Sequence, residues 1–208
     1  GFYYPDDLAR FHTAGAELVA FDTLNDTRLP DVDALLLGGG FPEVHLDRLE
    51  ANVELRSAIR SAIAGGLPVY AECGGLMYLA RQIRWGERSR EMVGALPADV
   101  AVLPRPQGRG YVELEETGVS PWPFAPAGTI PAHEFHHSRL EDYDAKAFRY
   151  AYRVRRGHGL DGEHDGLIHE NVLASYTHLR ATARHDWTAR FLAFVRECMA
   201  GRMQAQAI

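Results

Sequence analysis

An α/β fold is predicted here: a three-layer sandwich with a mostly parallel central sheet plus antiparallel additions. Three features of the sequence carry that expectation. Strand-like and helix-like runs alternate through the first half. Two of those strands, "DALLLGGG" and "VYAECGG", end in glycine-rich turns, as strands buried on both faces of a parallel sheet often do. The second half instead breaks into short β-like runs parted by glycine and proline.

The elements follow in order. "DDLARFHTAG" carries Leu8 and Phe11 at helical spacing and exits at Gly15, and "AELVAFD" then reads as a strand. After "DALLLGGG", "NVELRSAIRSAIAGG" sets Leu55, Ile59 and Ile63 on one helical face and stops at Gly65 and Gly66. "LPVYAEC" is the next strand and "LMYLARQI" the next helix. "GYVELEE", "GTIPAHEFHHSRLE", "FRYAYRVRRG" and "GLIHENVLASYTH" read as antiparallel hairpins, and the proline-rich residues 118–128 as a surface loop. "DWTARFLAFVRECMA" closes the fold as an amphipathic helix with Trp187, Phe191, Val195 and Cys198 on one face. One domain over residues 1–201 is expected, with 202–208 a frayed tail.

Composition narrows the function. The 208 residues carry a formal net charge of -6, so there is no basic surplus to release phosphate counterions, and a nucleic-acid partner is not expected. No apolar run approaches the ~18 residues of a membrane span. The two cysteines, Cys73 and Cys198, lie far apart in unlike surroundings with no signal peptide before them, which predicts free thiols and a cytoplasmic setting. The chain opens on Gly1 and runs straight into "FYYPDDLARF", so further sequence is expected upstream.

Cys73 sits where an apolar strand gives way to two glycines and a helix. Such a turn lifts a side chain out of the sheet, and local N–H dipoles favour the thiolate. The amide of Gly74 can then face a developing oxyanion, with a second donor from Gly39 or Gly40 on the neighbouring strand's exit. Simple burial of Cys73 as a small hydrophobe is the alternative. Cys198, on an apolar helix face, reads as a core residue. A thiol nucleophile needs a proton acceptor, and of the ten histidines His178, at the end of "NVLASYTH", falls at the same sheet edge as Cys73. The cluster "HEFHH" lacks the cysteine or carboxylate partners of a tetrahedral site, so no metal is expected there. His133 and His136 read instead as substrate or interface contacts, and so do Gly39 and Glu43.

"LLLGGGFPE", "VYAECGGLMYL", "HEFHHS" and "NVLASYTHL", in this order, resemble the C-terminal glutaminase domain of cobyrinic acid a,c-diamide synthases. The resemblance runs from "FYYPDDL" to the last helix. It implies a flavodoxin-like, class I, triad-type glutamine amidotransferase: Cys73 would attack the side-chain amide of glutamine, His178 would relay the proton, and Gly40 and Gly74 would line the oxyanion hole. It also implies an N-terminal ATP-binding synthetase domain as partner, with ATP and magnesium bound there and none in this chain. That domain would use the ammonia to amidate the a and c acetate groups of a corrin. No G-x-x-x-x-G-K-[ST] loop occurs in the sequence.

Two departures stand out. Many amidotransferases place glutamate two residues after the histidine, where this chain has Arg180, leaving the third triad member unassigned. Many also carry glutamine four residues after the cysteine, where this chain has Met77; that favours the a,c-diamide branch over cobyric acid synthases. Related amidases of sirohaem or nickel sirohydrochlorin share such a domain, and a cysteine hydrolase or thiol sensor of similar fold is the alternative from another class.

Overall fold

The computed structural model describes residues 1–206. The helices are α1 (Pro5–Thr13), α2 (Leu46–Ala51), α3 (Val53–Ala64), α4 (Gly74–Leu79) and α5 (Trp187–Gln206). The strands are β1 (Leu35–Leu37), β2 (Val69–Glu72), β3 (Gln82–Trp85), β4 (Arg88–Glu91), β5 (Asp99–Val102), β6 (Gly108–Glu116), β7 (Ile130–His136), β8 (Ser138–Glu141), β9 (Arg149–Arg156), β10 (His164–His169), β11 (Val172–Ser175) and β12 (His178–Leu179). Among the described residues, eight strands form a sheet in the order β1-β2-β11-β10-β9-β6-β7-β12, and four form a smaller one ordered β4-β3-β5-β8.

Strand alternation accounts for the layers. Leu35, Leu37, Val69, Ala71, Val172 and Ala174 point to one face, where they meet Leu55, Ile59 and Ile63 of α3 and Leu76 of α4. Tyr70, Leu173 and Ile168 point to the other, against Phe11 of α1 and Trp187 and Phe191 of α5. Apolar surface on both faces of β2 is therefore removed from water, at roughly 25 cal/mol per Å². This is the expected three-layer α/β arrangement, with the parallel part narrower than expected. Within the large sheet parallel pairing joins only β1 to β2 and β2 to β11, and its other ladders are antiparallel. Among the described residues the second half has no crossover helix between its strands to carry the chain back across a face, so each strand must reverse.

Three local expectations are corrected. "AELVAFD" forms no strand: residues 16–22 are irregular, and Leu18 and Val19 stay 39% and 48% exposed. Asp22, which would end that strand, is drawn into a turn, its carboxylate accepting from Leu24 N at 2.8 Å and Asn25 Nδ2 at 2.5 Å. Such local bonds compete with a ladder.

"LMYLARQI" is not one helix. Its helical part ends at Leu79, Ala80 is extended at ψ 171, and Gln82 begins β3. Asp99 of β5 holds this change of direction, accepting from Arg81 Nε at 2.7 Å and from Gln82 Nε2 at 2.6 Å. Gly86, at φ +62, then turns β3 into β4.

α5 continues through residues 202–206 of the expected tail, with Arg202 Nη2 3.6 Å from the Asp33 carboxylate. Residues 207 and 208 lie outside the described residues. No helix among the described residues is long and apolar enough to cross a membrane.

Candidate active site

Cys73 occupies the single-residue turn between β2 and α4. Its backbone stands at φ 46, ψ -100, a conformation that costs a non-glycine residue about 1–3 kcal/mol. The turn is held by a 2.7 Å hydrogen bond from Cys73 N to the carbonyl of Ser175, the last residue of β11. The side chain is 6% exposed, and Sγ lies 3.7 Å from the Phe135 carbonyl on β7. Both following glycines are required by close approach. A Cβ on Gly74 would fall 2.5 Å from the carbonyl oxygen and 2.7 Å from the nitrogen of Gly40, and one on Gly75 would fall 2.2 Å from the carbonyl oxygen of Leu37. The backbones of Gly40 and Gly74, predicted to work together, are thus in van der Waals contact beside the thiol.

His178 reaches the same place along another path. β11 ends at Ser175, and after Tyr176 and Thr177 the chain re-enters the sheet as β12, where His178 pairs with His133 of β7. Its imidazole is buried, in contact with Cys73, and its Nδ1 lies 3.3 Å from Glu72 Oε2. Burial works against a charge on this ring. The contacts to Cys73 and Glu72 outweigh that effect and push its pKa up to about 10. The ring is walled in by Phe2, edge-on at 5.7 Å between centroids, and by Gly39, where a Cβ would sit 2.4 Å from Cε1.

The structure thus brings together Cys73, His178, Gly39, Gly40 and Gly74. Glu43 lies on the 3-10 turn Pro42–His45 that follows the glycines after β1. Its Oε2 is buried without a hydrogen-bond partner, and burial raises its pKa. His133 faces His178 with ring centroids 5.6 Å apart, and burial lowers its pKa, the nearby His178 adding to the effect. His136 departs from expectation as an interface or substrate contact. It is 3% exposed, points to the opposite face of β7 from His133, and stacks on Tyr176. Its Nδ1 is bonded to the Ser138 carbonyl at 2.8 Å. Among the described residues no group of three or more His, Cys, Asp or Glu could hold a metal ion.

Arg180, at the position where many amidotransferases carry glutamate, turns away: it pairs with Asp6 at 2.9 Å and lies over the Tyr4 ring. The carboxylate beside His178 comes from Glu72, which sequence reasoning did not select. Its signal was a lone acid closing the otherwise uncharged strand "VYAE", all four residues of which are buried.

The fold is shared with solved structures. A glutamine amidotransferase from Thermotoga maritima superposes with a TM-score of 0.58 at 14% identity, covering 97% of this chain and 78% of that one. PurLQS, also from Thermotoga maritima, gives 0.56 at 16% identity, covering 86% and 84%. The fold is that of the class I glutamine amidotransferases. Residues 1–186 match the CobB/CobQ-like glutamine amidotransferase domain, and the chain belongs to that family. It is 42% identical over 94% of its length to a cobyrinate a,c-diamide synthase of Magnetococcus marinus and 44% identical over 92% to one of Archaeoglobus fulgidus. It spans only 42% and 41% of those two proteins.

Proposed function

We propose that this amidotransferase domain hydrolyses glutamine through Cys73 and passes the ammonia to an ATP-dependent synthetase domain, which amidates the a and c acetate groups of a corrin. The observation that carries the reading is the contact between His178 and a thiol held on a strained strand-to-helix turn. Kinship with cobyrinate a,c-diamide synthases supports the choice of acceptor.

In this reading the Cys73 proton passes to His178 and the sulfur attacks the amide carbon of glutamine. The negative charge moves to the amide oxygen, facing the N–H groups of Gly40 and Gly74, each such donor being worth ~10²–10³ in rate. The carbon–nitrogen bond breaks as His178 returns the proton to nitrogen, releasing ammonia and leaving a glutamyl thioester. Water, deprotonated by His178, then cleaves the thioester to glutamate and restores the thiol. The unpaired, buried oxygen of Glu43 would receive the α-ammonium group of glutamine, with His133 and Gly39 shaping the mouth of the site. ATP and magnesium would bind in the partner domain, and the whole enzyme would work in the cytoplasm.

A glutamine analogue bearing an electrophile should label Cys73 and spare Cys198, and Cys73→Ser should end glutaminase activity. Joined to the synthetase region of a relative, with ATP, magnesium and the corrin acid, the chain should form amide and turn over glutamine faster than alone. Labelling at Cys198, or glutamine hydrolysis as fast in isolation as in the joined enzyme, would overturn the reading.

A further inference from the structure

The carboxylate of Glu72 is built into the site in a way that chain position alone does not explain. Tyr70 and Glu72 alternate onto the same face of β2. One carboxylate oxygen, Oε1, accepts from the Tyr70 hydroxyl at 2.7 Å and from the backbone N–H of Leu179 at 2.9 Å. Leu179 directly follows His178, so this second bond ties Glu72 to the backbone that carries the imidazole. The other oxygen, Oε2, is left 3.3 Å from His178 Nδ1, an ion-pair contact whose N–H axis is not squarely aligned. Glu72 is 6% exposed, so the interaction is shielded from water and little screened by salt.

Among the described residues no other carboxylate takes this part for His178. Arg180 is turned to Asp6, and the titratable groups around the pair are Cys73 at the start of α4, His133 on β7, Tyr70 on β2, the phenol Tyr152 on β9, Tyr4 just before α1 and Asp7 on it. Asp7 is held by other donors: it accepts from Ala181 N at 3.0 Å and Trp187 Nε1 at 3.1 Å. Tyr4 and Tyr70 are phenols, and His133 offers no negative charge.

We propose that Glu72 is the positioning residue of this site. It keeps a proton on Nδ1 of His178, directs Nε2 towards the sulfur of Cys73, and stabilises the imidazolium that forms when the thiol proton moves to Nε2. The inference rests on the Cys73–His178 reading above and adds to it a third group contributed by the residue next to the nucleophile.

The test is the rate at which iodoacetamide alkylates Cys73, followed against pH in the full chain with Cys198→Ser as background, because only the thiolate reacts. This readout does not depend on glutamine being the substrate. Glu72→Gln keeps the shape and removes the charge. It should slow alkylation near pH 6.5 about tenfold or more and move the midpoint of the profile to higher pH, as loss of a charge within ion-pair distance does. Glutaminase kcat should fall ~10²-fold or more with KM nearly unchanged, while the melting temperature stays close to that of the parent. Glu72→Asp, which keeps the charge but withdraws it by one methylene, should fall between the two. It decides the matter alone if Glu72→Gln does not fold.

An unshifted alkylation profile in Glu72→Gln, or Glu72→Asp no better than Glu72→Gln, would show Glu72 to be merely structural. The control is His178→Asn. If it moves the profile and Glu72→Gln does not, Glu72 alone loses its role. If His178→Asn also leaves the profile unchanged, the Cys73–His178 pair falls and this proposal falls with it.

Discussion

The imidazole of His136 lies flat on the phenol ring of Tyr176, with centroids 4.0 Å apart and planes 7° from parallel. His136 is also bonded through Nδ1 to the Ser138 carbonyl at 2.8 Å, and its Nε2 lies 3.5 Å from Glu134. Glu134 in turn accepts from the backbone N–H groups of His158 and Gly159, both at 2.8 Å. His136 therefore braces the segment between β11 and β12 that delivers His178. His136→Ala should lower the free energy of unfolding in urea by about 3 kcal/mol, the scale of deleting a buried ring. Unchanged stability with a raised KM for glutamine would return His136 to the substrate.

Gly39 is close enough to the ring of His178 that a single methyl must displace it, the ideal Cβ falling 2.4 Å from Cε1. Gly39 has no positive φ, so alanine there meets a steric conflict with His178 without backbone strain. Gly39→Ala should retain a cooperative thermal transition and lose glutamine turnover ~10²-fold or more, the range for disabling a general base. The measurement is kcat alongside a melting curve. Turnover at the parent's level would mean that the ring yields without losing its contact to Cys73.

The strain at Cys73 makes a separate forecast. Glycine is ordinarily the less stable choice by up to ~1 kcal/mol relative to alanine, because it loses more freedom on folding. At φ 46, ψ -100 the order should reverse, since only glycine adopts such a backbone without steric cost. Both Cys73→Ala and Cys73→Gly should be inactive, with Cys73→Gly the more stable of the two by roughly 1 kcal/mol in chemical denaturation. A more stable alanine variant would mean that the turn relaxes once the thiol is gone.

Much of this was legible in the chain, and the parts that were not share a cause. "DALLLGGG" and "VYAECGG" disclosed β1, β2 and the turn at Cys73 because strands buried on both faces are apolar throughout, while the glycines mark close backbone approach. Position near a strand's end singled out His178 from ten histidines, and the structure sets it beside Cys73, on β12 and not at the end of β11. Glu72 escaped because two of its partners, His178 and Leu179, meet it only after β12 joins β7, up to 107 residues away. "AELVAFD" had strand-like residues, yet local bonds to Asp22 hold its end in a turn. β3 was hidden in a helical pattern because Ile83 follows Leu79 at helical spacing, and Asp99 anchors the reversal from 17 and 18 residues downstream.

The charge on His178 leads to a prediction about stability and pH. Its pKa is pushed up to about 10 in the folded protein, against 6.5 for a free histidine. A basic group whose pKa is raised on folding binds its proton more tightly in the native state, so it stabilises the fold wherever it is protonated there. That contribution is fully present below pH 6.5 and is lost as pH rises through about 10. Between these limits the native state holds the extra proton, and unfolding free energy should fall with rising pH by at most about 1.4 kcal/mol per pH unit from this residue. Urea titrations at intervals from pH 6 to 10 should therefore show a steeper decline for the parent chain than for His178→Gln, which carries no titrating ring. Parallel curves for the two proteins would mean that His178 is not held protonated, and that contact with Cys73 and Glu72 does not overcome the cost of burying its charge.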